Sequence, residues 1–117
     1  MVVIIDDEPE MRELLVEMLE RENIEALAVD PSNSMEAIRR LQPEVVLLDI
    51  TMPSISGYDI LESIRSDPLL CDTFVIMVTG LVGVEEVTAG LERGADDYIT
   101  KPFSMEELVV RVRRGFR

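Results

Sequence analysis

The sequence predicts an α/β fold of the (βα)5 type, in which a doubly wound sheet of five parallel strands carries helices on both faces. Short apolar runs alternate with amphipathic stretches along the whole chain, and this alternation is typical of parallel sheets. The inner runs are apolar throughout, as expected for strands covered on both faces. Right-handed crossover connections restrict such a chain to a doubly wound topology. With 117 residues, 47% of them hydrophobic, the chain has room for one domain with one core.

The first unit opens with the apolar run Val2–Ile5, which is too short for a helix and fits a buried strand. Pro9 opens the first helix, because proline is favoured at the first helical position. The apolar stripe of this helix has helical spacing and contains Met11, Leu14, Leu15, Met18 and Leu19. A weaker second strand follows, in which Leu27 and Val29 alternate with smaller residues. We expect it at an edge of the sheet.

The second helix is predicted at Ser34–Leu41, where Asn33 and Glu36 have the spacing of a capping pair. The run "VVLL" at 45–48 is the next buried strand, since it is apolar at every position. These two elements form the second helix and third strand of the predicted alternation.

The third helix is predicted at 58–65 and ends before Asp67-Pro68, because the residue before a proline avoids the helical conformation. "FVIMV" at 74–78 is the fourth strand and is apolar throughout. A fourth, more weakly patterned helix is predicted at 84–93. It ends at Gly94, a residue type favoured just after a helix.

The fifth strand is the short segment "DYIT", Asp97–Thr100. The last helix starts from a capping box formed by Ser104 and Glu107. Its apolar face is predicted to contain Met105, Leu108, Val109 and Val112. The chain therefore ends its alternation on a helix, which completes five strand–helix units.

The composition excludes several classes of function. The formal net charge of -13 repels phosphate backbones and anionic lipids, so we expect no direct contact with nucleic acid or membrane. The single cysteine, Cys71, and the lack of histidine exclude a disulfide framework and a Cys/His zinc site within one chain. A reducing cytoplasmic location fits this composition. The start lacks a basic region, and no apolar run approaches the roughly 20 residues of a transmembrane helix.

Polar residues follow the predicted strands at the point where each strand ends. Asp6 and Asp7 follow the first, Asp49 the third, Thr79 the fourth and Lys101 the fifth. The carboxyl ends of parallel strands share one edge of the sheet, where open α/β sheets bind their ligands. We therefore expect three carboxylates, a hydroxyl and an ammonium to meet in one crevice.

Such a cluster of acids requires a cation. Two carboxylates about 4 Å apart repel by roughly 4 kcal/mol at an effective dielectric constant of about 20, and Lys101 offsets one charge at most. Only oxygen ligands are present, which favours Mg²⁺ over zinc or copper. Asp49 could then act as a nucleophile on phosphorus, with the metal, Lys101 and Thr79 stabilising the transferred group.

Four fragments of the chain resemble the receiver domain of two-component response regulators. They are "VVIIDDEPEMRELL", "VVLLDITMPSISG", "VTG" and "GADDYITKPF", in the order and spacing of that family. Each fragment alone is weakly specific, and the four together are highly specific. The resemblance covers essentially the whole chain and implies the strand order 2-1-3-4-5. It also implies a single receiver domain over residues 1–117, with no output domain in this chain.

The resemblance implies that Asp49 accepts a phosphoryl group from the phosphohistidine of a sensor kinase or a histidine phosphotransfer protein. It implies that Asp6 and Asp7 hold Mg²⁺, with Mn²⁺ as a substitute ion and Asp7 as the more direct ligand. The backbone carbonyl of Thr51 would be a further metal ligand, together with Asp49. The domain would be a regulatory phosphoacceptor rather than a turnover enzyme acting on external substrates.

By the same resemblance, Thr79 and Lys101 contact the phosphoryl group, and Tyr98 is a rotameric switch on the fifth strand. The family also implies a cis bond at Lys101-Pro102. Phosphorylation would change the surface formed by the fourth helix, fifth strand and fifth helix, which would then control an output domain or a partner protein. A homodimer could form through the same surface, with salt bridges between the last helix and Asp96 and Asp97.

Other interpretations of the same residues stay open at this point. Asp6 and Asp7 could cap the first helix, Asp49 could be a turn residue, Lys101 could lie on the surface, and Thr79 could be an ordinary strand residue. A haloacid-dehalogenase-type phosphatase is a second hypothesis, and a degenerate receiver used only for docking is a third. The output could be a winged-helix DNA-binding domain or a second-messenger enzyme.

Overall fold

The computed structural model describes residues 1–50, 52–53, 55–80 and 92–116. The strands are β1 (Val2–Ile5), β2 (Ala26–Val29), β3 (Val45–Asp49), β4 (Phe74–Thr79) and β5 (Asp97–Thr100). The helices are α1 (Pro9–Arg21), α2 (Ser34–Leu41), α3 (Gly57–Ser66) and α4 (Met105–Arg114), and a 3-10 turn at Pro31–Asn33 precedes α2. All strand pairs are parallel, in the order β2-β1-β3-β4-β5. The predicted doubly wound fold is confirmed, whereas the helix predicted at 84–93 lies outside the described residues.

The sheet separates two apolar layers, because alternate residues of a strand point to opposite faces. One layer contains the buried side chains of α3, including Ile60 and Leu61. The other contains the buried side chains of α1 and α4, including Leu15 and Leu108. Strands β1 and β3 are buried at every position, as the unbroken apolar runs predicted. The helices thus cover both faces, and the carboxyl edge of the sheet is left to polar residues.

Three local predictions need correction. Asn33 makes no side-chain cap to α2, because the 3-10 turn occupies that place and its own cap is Asp30, which accepts from the backbone N–H of Ser32. Leu14 belongs to the predicted stripe of α1 but is 47% exposed, and Met105 of α4 is 37% exposed. In each helix, the apolar stripe predicted from the sequence is wider than the face that is buried. Leu14 and Met105 lie at the margins of these stripes. The predicted cap by Ser104 is confirmed, since its side chain accepts from the N–H of Glu107.

Arg65 ties three segments together at the edge of the sheet opposite the polar strand ends. Its Nε donates to the carbonyl of Gly94 at 2.8 Å, and its NH1 donates to the carbonyls of Cys71 at 2.9 Å and Thr73 at 2.6 Å. Its NH2 forms an ion pair with Asp96 at 2.7 Å. One side chain therefore joins the end of α3 to the turns before β4 and β5. Gly94 itself has a φ of 106°, a conformation that favours glycine.

We expect Arg65→Met to lower the free energy of unfolding by about 2 kcal/mol, because partly buried carbonyl oxygens lose their donors. Urea denaturation followed by circular dichroism measures this loss. Arg39→Met is the matched control, since Arg39 is 58% exposed and makes a single ion pair of 3.4 Å with Asp67. That control should change stability by less than about 0.5 kcal/mol. Equal effects of the two substitutions would contradict the role assigned to Arg65.

Candidate functional site

The carboxyl edge of the sheet collects the predicted polar residues. Asp6 directly follows β1, and Asp49 is the last residue of β3, the strand beside it. Thr79 is the last residue of β4, and Lys101 directly follows β5. The backbone N–H of Lys101 donates to the carbonyl of Thr79 at 2.7 Å, which fixes the start of the loop after β5. Residues far apart in the sequence thus meet because their strands are parallel and adjacent.

Lys101 connects two of these carboxylates. Its Nζ lies 3.7 Å from Oδ2 of Asp6 and 3.6 Å from Oδ2 of Asp49. Asp6 is 2% exposed and Asp49 is 5% exposed, so both carboxylates are nearly removed from water. Burial of a carboxylate is costly unless a cation or hydrogen-bond donors compensate for it. The ammonium group of Lys101 supplies one such compensating charge to the pair.

A carboxylate cluster lies in the turn after β1. One oxygen from each of Asp6, Asp7 and Glu8 lies within 4.8 Å of the other two. Oxygen-only donors of this kind fit a hard cation such as Mg²⁺. The cluster shares Asp6 and Asp7 with the predicted ligands, whereas the predicted ligand Asp49 is not part of it. Glu8 was not among the predicted ligands. Its position directly after the predicted acidic pair was the signal that could have indicated it.

Not every predicted ligand can be placed. Thr51, predicted to offer its backbone carbonyl, lies outside the described residues.

Asp6 also makes a local contact, because its Oδ1 accepts from the backbone N–H of Glu8 at 2.9 Å. The first turn of α1 has no side-chain cap from Glu8, which occupies the N-cap position. The acidic pair is therefore not explained as a cap of α1, although Asp6 helps to form the turn that leads into it.

Arg12 of α1 holds the same turn from the other side. Its NH1 donates to the backbone carbonyl of Asp6 at 2.7 Å and lies 3.9 Å from Oδ2 of Asp30. The backbone N–H of Ser32, the Ser32 hydroxyl and then the Arg12 guanidinium lower the pKa of the Asp30 carboxyl. An ionised Asp30 is a suitable partner for Arg12. The turn that carries the acidic cluster is thus tied to α1 and to the end of β2.

The two other predicted residues, Thr79 and Tyr98, are buried. Thr79 is 1% exposed at the end of β4, and Tyr98 is 7% exposed in β5, where its side chain belongs to the apolar layer that also includes Met77. The Lys101-Pro102 peptide bond is cis, which confirms that prediction. Thr79 therefore lies on the strand next to that of Asp49, and Tyr98 lies one strand further along.

Gly57 allows α3 to approach the backbone at Asp49. Its N–H donates to the carbonyl of Ile50 at 3.0 Å, and the N-cap Ser56 accepts from the N–H of Tyr58 at 3.2 Å. A methyl group at Gly57 would overlap the carbonyl oxygen of Asp49 and would lie 2.8 Å from the Cα of Ile50. The predictions gave Gly57 no part in the site. Its position at the end of the loop after Asp49, immediately before the helix predicted at 58–65, was the available signal.

A five-stranded doubly wound sheet with buried carboxylates and a lysine at its carboxyl edge is a fold with a ligand site at the topological switch point. The sequence matches the family model described as the response regulator receiver domain over residues 2–113. The chain belongs to that family and is a regulatory domain of two-component signalling.

Individual relatives agree with this membership. The chain is 44% identical over 119 residues to the probable transcriptional regulatory protein TcrX of Mycobacterium tuberculosis, covering 99% of this chain and 49% of TcrX. It is 37% identical over 117 residues to the DNA-binding response regulator MtrA of Mycolicibacterium smegmatis, covering 99% of this chain and 50% of MtrA. The chain spans about half the length of the curated relatives it matches. The expectation of no contact with nucleic acid is therefore not confirmed for the whole protein.

Solved structures give the same result for the fold. The BeF3-activated N-terminal receiver domain of Klebsiella pneumoniae RstA superimposes with a TM-score of 0.89 at 28% sequence identity. The match covers 99% of this chain and 97% of the chain in that structure. Within the described residues, no helix has the length and apolar character needed to cross a bilayer.

Proposed function

We propose that this chain is the phosphoacceptor switch of a two-component phosphorelay. The observation that carries the proposal is the position of the Lys101 ammonium, 3.6 Å from Asp49 and 3.7 Å from Asp6, beside the carboxylate cluster. An ammonium at that place can neutralise charge on a phosphoryl group bonded to Asp49. A sensor histidine kinase or a histidine phosphotransfer protein supplies the group.

In the transfer, a carboxylate oxygen of Asp49 forms a bond to phosphorus while the bond between phosphorus and the imidazole nitrogen of the donor breaks. The electron pair of the broken bond stays on the imidazole. Asp6, Asp7 and Asp49 are the proposed side-chain ligands of Mg²⁺, with the backbone carbonyl of Thr51 as a further one and Glu8 close enough to add charge. When bound, Mg²⁺ supplies neutralisation of phosphoryl oxygens. Lys101 contributes the same kind of neutralisation from the protein side.

Family membership supports Thr79 and Tyr98 as the proposed switch residues, and both are buried. A phosphoryl group on Asp49 accepts a hydrogen bond from the Thr79 hydroxyl, and the Tyr98 ring moves into the space that Thr79 leaves. This shifts the population between two packings of the surface formed by the predicted fourth helix (84–93), β5 and α4. An output domain or partner protein, in a cytoplasmic setting, binds one of these packings better than the other.

A homodimer through the surface of the predicted fourth helix (84–93), β5 and α4 is a further part of the proposal. In the single chain, Asp97 forms ion pairs with Arg111 at 2.6 Å and with Arg114 at 3.3 Å. Asp96 forms an ion pair with Arg65. A dimer that used Asp97 would therefore exchange pairs within one chain for pairs between chains.

Incubation with acetyl phosphate and Mg²⁺ tests the proposed chemistry. We expect the wild-type chain to gain the mass of one phosphoryl group, and Asp49→Ala to gain none, because the nucleophile is absent. Asp72→Ala is the matched control, since Asp72 is exposed and lies in the loop before β4, and it should gain as the wild type does. No gain on the wild type, or an equal gain on Asp49→Ala, would reject the proposal.

A further inference from the structure

An open groove runs along the sheet edge at β2. It lies between α1 and β2 and has a volume of about 690 Å³. Its lining on the strand side is Ala26, Leu27 and Ala28, and its lining on the helix side includes Val16. Ala26 and Ala28 pack against the apolar layer that contains the buried residues of α1, and their short side chains leave space beneath α1 that larger residues would fill. We call this feature the β2 groove.

The backbone beside the β2 groove can pair with another strand. Within the described part of the chain, β2 is paired only with β1. The carbonyl of Glu25 accepts from the N–H of Val2 at 2.8 Å. Successive residues of a strand direct their N–H and C=O groups to opposite sides, so Ala26 and Ala28 direct theirs away from β1. An edge of this kind is a template for strand addition.

The rim of the β2 groove is acidic. Glu13, Glu17 and Glu20 line it from α1 and are exposed. The two arginines of the lining are paired with carboxylates of the same chain: Arg12 lies 3.9 Å from Asp30 and Arg21 lies 2.6 Å from Glu17. Among the described residues, Glu13 and Glu20 have no arginine or lysine within ion-pair distance. The charge that complements this rim is therefore positive.

We propose that the β2 groove binds an extended segment of a partner protein, which adds to the sheet beside β2. Its apolar side chains lie over Ala26 and Ala28, its backbone pairs with the same two residues, and its lysine or arginine side chains face Glu13 and Glu20. Strand addition of this kind obtains affinity from backbone hydrogen bonds and specificity from alternate side chains. A second copy of the chain is a poor occupant, because two domains of net charge -13 would bring two acidic rims together.

Nuclear magnetic resonance titration of the folded domain tests this proposal. The probe is the peptide acetyl-Lys-Val-Thr-Val-Thr-Val-Lys-amide, and we expect it to shift the amide resonances of Ala26 and Ala28 and to slow their hydrogen exchange. The Glu13→Lys/Glu20→Lys variant should bind the peptide about tenfold more weakly at low ionic strength, because two exposed attractive contacts become repulsive. Glu62→Lys, at an exposed position of α3 on the other face of the sheet, should bind as the wild type does.

Two control peptides separate strand addition from other binding. A peptide with glutamate in place of both lysines should bind weakly to the wild type, and a peptide with N-methylated alternate amides should not slow exchange at Ala26 and Ala28. The proposal is overturned if the two resonances do not shift at millimolar peptide, or if either control peptide binds as tightly as the probe. Concentration-dependent dimerisation that the Glu13→Lys/Glu20→Lys change strengthens would instead assign the edge to a second copy.

Discussion

Replacing Lys101 with methionine is expected to lower the free energy of unfolding by about 3 kcal/mol in EDTA, because it removes the ammonium that compensates two buried carboxylates. The ammonium of Lys101 lies 3.7 Å from Asp6 and 3.6 Å from Asp49. Both carboxylates are at most 5% exposed, so water cannot replace the lost cation. The melting temperature should fall by roughly 10 °C for a chain of this size.

Three comparisons isolate the cause. Asp49→Asn in the Lys101→Met background should recover at least half of the loss, since one of the two repelling carboxylates is gone. Mg²⁺ should reduce the loss in Lys101→Met, because a ligand that binds only the folded state stabilises it by mass action. Arg40→Met removes an exposed cation from α2 and should have little effect. A Lys101→Met protein as stable as the wild type in EDTA would show that Asp6 and Asp49 do not depend on this ammonium.

The sequence was most informative where periodicity and strand ends coincide. The bounds of β1 are those of the unbroken apolar run that predicted it. The bounds of α2 also match the prediction, although the capping pair on which that prediction depended does not form. The positions of Asp49 and Lys101 followed from one rule, that parallel strands end on the same edge. No spacing along the chain could give the distances from Lys101 to its two carboxylates, since those depend on side-chain conformations.

The features that the sequence did not indicate depend on competition between neighbouring helix caps or on the close approach of two backbone segments. Asn33 and Glu36 have the spacing of a cap, yet Asp30 starts a 3-10 turn first and so changes where the helix is capped. Leu14 matches the helical period, but α1 buries a narrower face than its apolar residues cover. A hydrophobic pattern gives the direction of a face and not its width. A close contact between a glycine and another backbone segment, as at Gly57, produces no apolar or charged pattern in the sequence.

Gly57→Ala is expected to destabilise the domain by roughly 3 kcal/mol, at the upper end of the range for overpacked positions. Alanine is favoured over glycine within a helix by about 1 kcal/mol, but the added methyl group would overlap the Asp49 carbonyl oxygen and lie 2.8 Å from the Cα of Ile50. Backbone atoms at the end of a buried strand cannot move aside as a flexible side chain can. The clash should therefore outweigh the gain in helix propensity and displace Asp49.

Gly80→Ala is the matched control for this prediction, because no atom of the described residues other than its chain neighbours lies within 4 Å of the Cβ position at Gly80. Urea denaturation should give that variant a stability within about 0.5 kcal/mol of the wild type. Phosphorylation by acetyl phosphate should be slowed in Gly57→Ala even where the protein is fully folded, since the displacement is at the acceptor. If Gly57→Ala instead proved as stable as Gly80→Ala, the close approach of α3 to the strand end would not be a constraint on this fold.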